Sequence, residues 1–243
     1  MELEDKAVLV TGGGGGIGLG IALALAREGC RVAITGRNEA KLRAVAAQFD
    51  SQPAIRYRAG DVSDRQDVER LFAWLRTELG PLDILVNNAG ITVPNRRMSQ
   101  LAPDDWDRML AVNVTGAFNC IHAALPAMRE RRSGLIVNIS SIAGKRALML
   151  SGPAYCASKF ALTALGTTVG LEERENGIHV TNIYPGEAAT PMLDSRPAPV
   201  PPEKQAQMLQ PEDVAAAVVM VAKLPPRALV PELVITPLYQ GYA

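Results

Sequence analysis

The chain has 243 residues, with 25 basic and 25 acidic side chains cancelling to no net charge, 48% hydrophobic residues and 5% aromatic ones. This is the length of one large α/β domain or two small ones, of which a single domain spanning residues 1–243 is expected, and the composition excludes a disordered chain, a collagen-like repeat or a charged coiled coil. The charge balance supplies no field to recruit nucleic acid or an anionic membrane, and the scarcity of aromatics argues against a base-stacking surface.

The first ten residues, MELEDKAVLV, put acids before a short apolar run, the reverse of a secretory leader. From there, short β-branched runs alternate with longer helical patterns. Strands are expected at 7–11, 31–35, 55–59, 84–87, 135–140, 179–184 and 233–236, and helices at 17–28, 39–49, 65–79, 104–131, 154–176 and 212–224. Such alternation predicts an α/β fold, a doubly wound parallel sheet with right-handed crossovers. Runs such as VLV, ILV and LIVNI are apolar on both faces, so helices should cover both sides of the sheet. Asp64 reads as an N-cap, and Gly29, Gly80 and Gly177 each follow a helical pattern where a left-handed residue closes the last turn. The longest clean apolar stretch, 214–222, falls short of the roughly 20 residues of a membrane span. Cys30, Cys120 and Cys156 show no CxxC spacing, which argues against a disulfide framework or a zinc site and for a reducing, cytoplasmic setting. Six of the 17 prolines fall within 185–202, after the sixth strand. We expect a substrate lid at 187–207, with a short helix over 203–209, Thr190 and Met192 facing cofactor and substrate, and Arg196 as a candidate contact for an anionic group.

Residues 11–18, TGGGGGIG, join the first strand to the first helix. Glycines let the backbone approach a pyrophosphate closely, and the free N–H groups of a helix N-terminus favour its charge. Two registers fit: G-x-G-x-x-G at Gly13, Gly15 and Gly18, and T-G-x-x-x-G-x-G at Thr11, Gly12, Gly16 and Gly18. No Gly-Lys-Ser/Thr follows, which disfavours a P-loop. The second strand runs into Ala33-Ile34-Thr35-Gly36-Arg37-Asn38 with no acid to take the ribose hydroxyls, while Arg37 can meet a 2′-phosphate, so NADP(H) is favoured over NAD(H).

Tyr155 and Lys159 stand four apart on one helix and so share a face. A phenol with a pKa of roughly 10 is a poor base at neutral pH, and a nearby cation favours its anion. Asn87-Asn88-Ala89-Gly90 and Asn138-Ile139-Ser140-Ser141 close the fourth and fifth strands, and Asn113 interrupts an apolar helical run where a buried amide must find partners. These groups converge on one rim, the carboxyl edge at which open α/β sheets bind ligands.

Taken together, TGGGGGIG at 11–18, GDV at 60–62, NNAG at 87–90, Asn113, SSIAG at 140–144, YCASK at 155–159 and PGEAAT at 185–190 resemble the short-chain dehydrogenase/reductase family over nearly the whole chain. The resemblance implies a Rossmann-type sheet of seven strands in the order 3-2-1-4-5-6-7. It implies a catalytic tetrad of Asn113, Ser141, Tyr155 and Lys159: Tyr155 the general acid/base, Ser141 bonded to the reacting oxygen, Lys159 on the nicotinamide ribose and lowering the Tyr155 pKa, Asn113 holding a relay water. The dinucleotide would lie on Gly12, Gly14, Gly16, Ile17 and Gly18, with Arg37 and Asn38 at the 2′-phosphate, Asp61 and Val62 at the adenine, Asn88, Ala89 and Gly90 at its ribose side, and Pro185, Gly186 and Thr190 at the nicotinamide. The substrate would be a small carbonyl or secondary alcohol, and the assembly a homodimer or homotetramer through the helices at 104–131 and 154–176. No nucleic-acid or membrane partner is expected. Ser141 stands fourteen positions before Tyr155, one more than the commonest family spacing, which implies a small bulge and keeps Ser140 as a weaker candidate. Ala188 replaces a larger aliphatic residue, and the C-terminal end is more similar to the branch that includes NADP-dependent 3-hydroxy acid dehydrogenases. The alternative is a catalytically idle, cofactor-binding regulatory protein on the same fold.

Overall fold

The computed structural model describes residues 2–49 and 53–241. Strands β1 (Ala7–Thr11), β2 (Arg31–Gly36), β3 (Arg56–Ala59), β4 (Ile84–Asn87), β5 (Gly134–Ile139), β6 (Ile178–Pro185) and β7 (Glu232–Ile235) form one sheet in the order β3-β2-β1-β4-β5-β6-β7. Every neighbouring pair is parallel. The helices are α1 (Gly16–Arg27), α2 (Glu39–Gln48), α3 (Arg65–Glu78), α4 (Pro103–Leu110), α5 (Gly116–Arg131), α6 (Gly152–Glu172), α7 (Pro202–Gln205) and α8 (Pro211–Ala222).

Alternate residues of each strand feed opposite faces. Val8, Val10, Ile34, Val86 and Val137 pack with Ile21 and Leu25 of α1, Leu42 of α2 and Val214 and Val218 of α8. Leu9, Leu85 and Ile136 point the other way, into Leu71 and Leu75 of α3, Cys120 and Ile121 of α5 and Val169 of α6. Each such side chain fully removed from water contributes about 1.5–3 kcal/mol, which explains why strands buried on both faces can be so uniformly apolar. The punctuation is as expected: Asp64 accepts from the Asp67 amide at 2.9 Å, and Gly29, Gly80 and Gly177 have φ of 83°, 73° and 71°.

Two elements differ from expectation. The helix expected over 104–131 is continuous, but it is wound as α4, a π turn at Ala111–Thr115 and α5. Asn113 lies within that wider turn, and π turns of this kind recur at functional sites. At 29 residues this run is long and apolar enough to cross a bilayer, yet 56% of its apolar window is buried within the protein, so its apolar face is spent on the core. The helix expected over 203–209 is only the four residues of α7, because Leu209 is drawn away: its amide donates to Glu187 O at 3.0 Å, and its carbonyl accepts from Ala189 N at 2.8 Å.

Among the described residues the polar strand ends divide into two groups. Asn87, Asn138 and Asn182 are register partners on β4, β5 and β6. Their amides run as a buried ladder, Asn87 Nδ2 donating to Asn138 Oδ1 at 3.0 Å and Asn138 Nδ2 to Asn182 Oδ1 at 3.0 Å. Asn87 and Asn138 therefore join the strands beneath the rim, and the rim itself is formed by the residues that follow them.

Candidate active site

The glycine loop resolves the register that the sequence leaves open. Gly12 and Gly16 carry positive φ, 67° and 53°, which a side chain would strain. A Cβ on Gly18 would lie 2.4 Å from Gly12 O and 2.4 Å from Asn88 Nδ2, so helix α1 meets β1 at its own first turn. Thr11 Oγ1 accepts from the Asn88 and Ala89 amides at 3.0 Å each, fastening β1 to β4. These are the positions of the T-G-x-x-x-G-x-G register. Gly15 has open space where its Cβ would be, and Gly14 faces only Lys41 and Leu42 of α2. The loop thus presents bare backbone and a helix N-terminus, with Ile17 half-buried in the first turn, which fits a pyrophosphate.

Around this loop several expected contacts are already engaged. Asn88 Nδ2 donates to Thr11 O and Gly12 O at 3.0 and 3.2 Å, so it shapes the loop. Asn38 accepts from the Lys41 amide at 3.0 Å as the cap of α2, while the Arg37 side chain at the end of β2 is exposed and makes no hydrogen bond among the described residues. Asp61 Oδ1 accepts from Ser63 N and Oγ at 2.9 and 2.7 Å, and the Val62 carbonyl accepts from Asn119 Nδ2 at 3.0 Å. At the far side, β6 ends in Pro185, Gly186 N donates to Ile235 O at 2.8 Å, and Thr190 stands over Gly16.

The remaining groups meet where β4, β5 and α6 converge. Lys159 is buried, and its Nζ donates to Ile139 O at 2.8 Å. A Cβ on Gly90 would stand 3.4 Å from Asn113 Oδ1 and 3.6 Å from Lys159 Nζ, so the bare glycine leaves an opening above both. Asn113 Oδ1 accepts from Ile91 N at 2.7 Å, while its Nδ2 donates to Ile91 O and Ser158 Oγ at 3.0 Å each. Both Nδ2 hydrogens and one acceptor site of Oδ1 are thus used in holding the loop after β4 against α6. The two serines separate. Ser140 is buried and turned onto Lys159 O and Thr163 Oγ1, at 3.2 Å each, whereas Ser141 Oγ caps a short 3-10 turn and lies beside Tyr155.

The electrostatics depart from the simple reading of the Tyr155/Lys159 spacing. Burial pushes the Tyr155 phenol up to about 12, against the downward pull of the Ser141 hydroxyl and the Arg96 charge. Lys159, 5.6 Å from the centre of the Tyr155 ring, is itself lowered to about 8 by burial. Arg96 also acts on the phenol as a cation, and no sequence motif marks it, because it reaches the site only through the fold. Arg196, the expected anion contact, is instead paired with Glu187 at 2.9 Å. Met192 is exposed on the 3-10 turn Pro191–Ser195.

Comparison with known proteins agrees with this geometry. A family model for short chain dehydrogenase matches residues 6–200. An uncharacterized oxidoreductase of Staphylococcus aureus (strain MW2) is 35% identical over 237 residues, covering 97% of this chain and 98% of that protein. Among solved structures, an alcohol dehydrogenase from the archaeon Thermococcus sibiricus, complexed with 5-hydroxy-NADP, superposes with a TM-score of 0.88 at 28% identity, covering 98% of this chain and 99% of that one. The closed form of a serine dehydrogenase complexed with NADP+ gives 0.89 at 31% identity, covering 98% and 97%.

Proposed function

This chain belongs to the short-chain dehydrogenase/reductase family, and from that premise we propose that it is an NADP(H)-dependent oxidoreductase moving a hydride between nicotinamide and a carbonyl/secondary-alcohol pair. The observation that carries the reading is the convergence of Tyr155, Ser141 and Lys159 beneath the opening at Gly90. When bound, the nicotinamide gives or takes the hydride. Tyr155 holds its proton firmly in the free protein, so at neutral pH it is ready to deliver that proton to the oxygen of a carbonyl as it becomes an alcohol. Ser141 bonds the same oxygen, Lys159 takes the ribose hydroxyls, and Asn113 fixes the loop and helix that flank them. Gly12, Gly16 and Gly18 cradle the pyrophosphate, and Arg37 takes the 2′-phosphate. An idle regulatory binder needs no proton donor, and the intact acid/base set argues against that alternative. A screen of NADPH and NADH oxidation over keto acids, acyl thioesters, steroids and sugars tests the proposal. NADPH should be consumed with at least one class, whereas tight NADPH binding with no turnover in any class would favour the idle binder.

Arg37→Asp should reverse cofactor preference, since an acid repels the 2′-phosphate and accepts from free ribose hydroxyls. A charge-assisted hydrogen bond contributes about 1.5–3 kcal/mol, so the kcat/KM ratio of NADPH to NADH should shift about ten- to hundredfold. An unchanged ratio would remove Arg37 from the site.

We also propose that the chain works as a single domain in which 187–207 is a lid over the substrate. Its base is pinned by the Glu187–Leu209 and Ala189–Leu209 bonds, while its centre is mostly exposed. NADP+ should protect this segment from limited proteolysis more than the rest of the chain, and equal cleavage with and without NADP+ would show that it is no lid. Exposed Phe118, Phe160 and Leu171 on α5 and α6 support assembly as a homodimer or homotetramer through those helices. Three buried cysteines with no disulfide support a cytoplasmic setting.

A further inference from the structure

Arg96 lies in the loop after β4 and holds three separate segments through its guanidinium. Nε donates to Val93 O at 2.7 Å, Nη1 to Leu150 O at 3.1 Å, and Nη2 to Ser195 O and Oγ at 3.0 and 3.3 Å. Those carbonyls belong to the loop after β4, the loop that leads into α6, and the lid segment. Val93 packs in the same apolar cluster as Tyr155. The guanidinium therefore sits where three walls meet around the reacting end of the site, on the β4–β5–β6 side of the rim. The glycine loop and Arg37, which would meet the dinucleotide phosphates, lie at the ends of β1 and β2.

Its charge is not balanced. Among the described residues Arg96 has no carboxylate partner, and Glu187, at the base of the lid, is already shared: it pairs with Arg196 at 2.9 Å and Lys204 at 3.9 Å and accepts from Tyr239 Oη at 2.6 Å. A half-buried cation without a counter-charge is costly, and a ligand anion that enters beside it relieves that cost. One N–H of Nη1 remains free beyond the four bonds to protein. Burial and the neighbouring Arg196 pull Arg96 below its ordinary value, and the Tyr155 phenolate would act in the opposite direction, so its surroundings reward negative charge.

We propose that Arg96 is the specificity-determining residue of this site and pairs with a carboxylate on the substrate, away from the carbonyl or alcohol that reacts at Tyr155. The inference rests on the oxidoreductase reading above for the identity of the reacting end, but the anion site stands on the Arg96 contacts alone. With one N–H to spare, Arg96 can give a carboxylate oxygen a single charge-assisted hydrogen bond, whereas a phosphate monoester asks for more donors than remain. Because the same fork grips Ser195, a bound carboxylate would also tie the substrate to the lid.

The test uses the full chain with NADP+ or NADPH and a chain-length series of 2- and 3-oxo acids, each against its methyl ester. Binding is read as a rise in Tm, and reduction as NADPH oxidation. In the wild type at least one acid should raise Tm more than its ester at equal concentration, and kcat/KM should favour that acid by about ten- to hundredfold, the scale of one charge-assisted bond. Arg96→Met should abolish the preference, and Arg96→Lys, which keeps the charge but cannot hold all three segments, should retain part of it. A merely structural Arg96 would lower both probes together and leave their ratio unchanged. No acid-selective response anywhere in the wild-type series overturns the proposal, as does a preference that survives Arg96→Met; if Arg96→Met does not fold, Arg96→Lys decides, and an undiminished preference in it overturns the proposal. An acid-selective Tm shift without NADPH oxidation would support the anion site and overturn the hydride-transfer reading.

Discussion

Tyr155→Phe should lower kcat by about 10²–10⁴-fold on any confirmed substrate while NADPH binding stays nearly unchanged. Phe keeps the ring, its packing on Val93 and Ala154 and its place beside Lys159, and removes only the hydroxyl. Because burial holds the phenol near 12, Tyr155 is protonated through the neutral range in the free protein, so reduction begins with the acid in place. Alcohol oxidation requires the opposite, a phenolate, and the groups that favour it are Ser141, Arg96 and, through its own charge, Lys159. Lys159 is lowered to about 8, so it is a cation below that pH and loses its charge as the pH rises through it. Its help to the phenolate is therefore fully present on the acid side and fades above about pH 8. Stopped-flow turnover with NADPH, alongside equilibrium titration of NADPH fluorescence, separates chemistry from binding. Turnover at the wild-type rate in Tyr155→Phe would show that another group supplies the proton.

Asn138→Ala should destabilise the protein by about 2–6 kcal/mol, because it orphans two buried groups at about 1–3 kcal/mol each. Asn87 Nδ2 would lose its acceptor and Asn182 Oδ1 its donor, and neither has a described alternative on that side of the ladder. Asn87 Oδ1 is already buried without a partner, so the β4 end of the ladder has nothing in reserve. Helix α6 closes over these amides at Gly166, where a Cβ would come within 2.1 Å of Asn182 Oδ1, so the helix backbone leaves little room for water to enter. Urea unfolding should show a lower midpoint at constant m. A loss below about 1 kcal/mol would mean that water takes the place of the missing amide.

The ladder also shows where sequence reading stops. That the segments 87–90 and 138–141 close their strands on the ligand rim is legible, but not which residues within them face the site. Which face Asn87 and Asn138 point to depends on the register with Asn182, 44 residues beyond Asn138, and only pairing across three strands sets that. Ser140 and Ser141 pose the same problem at closer range. Adjacent residues leaving a strand point in opposite directions, and the turn after β5 decides that Ser141 faces Tyr155 while Ser140 faces the α6 backbone.

By itself the sequence determined the seven parallel strands, their flanking helices and the left-handed glycines that close them, because hydrophobic period and turn chemistry are local properties. It determined the family through residues whose spacing is fixed by local geometry, such as Tyr155 and Lys159 one helical turn apart and the glycines between β1 and α1. The tertiary structure alone decided which glycine register packs on β4, that the Asn113 amide bonds Ile91 and Ser158, that Glu187 takes Arg196, and that Arg96 reaches the site. Each of these depends on where distant segments meet, and on how far burial among them shifts the balance between charged and neutral forms, which no pattern along the chain encodes.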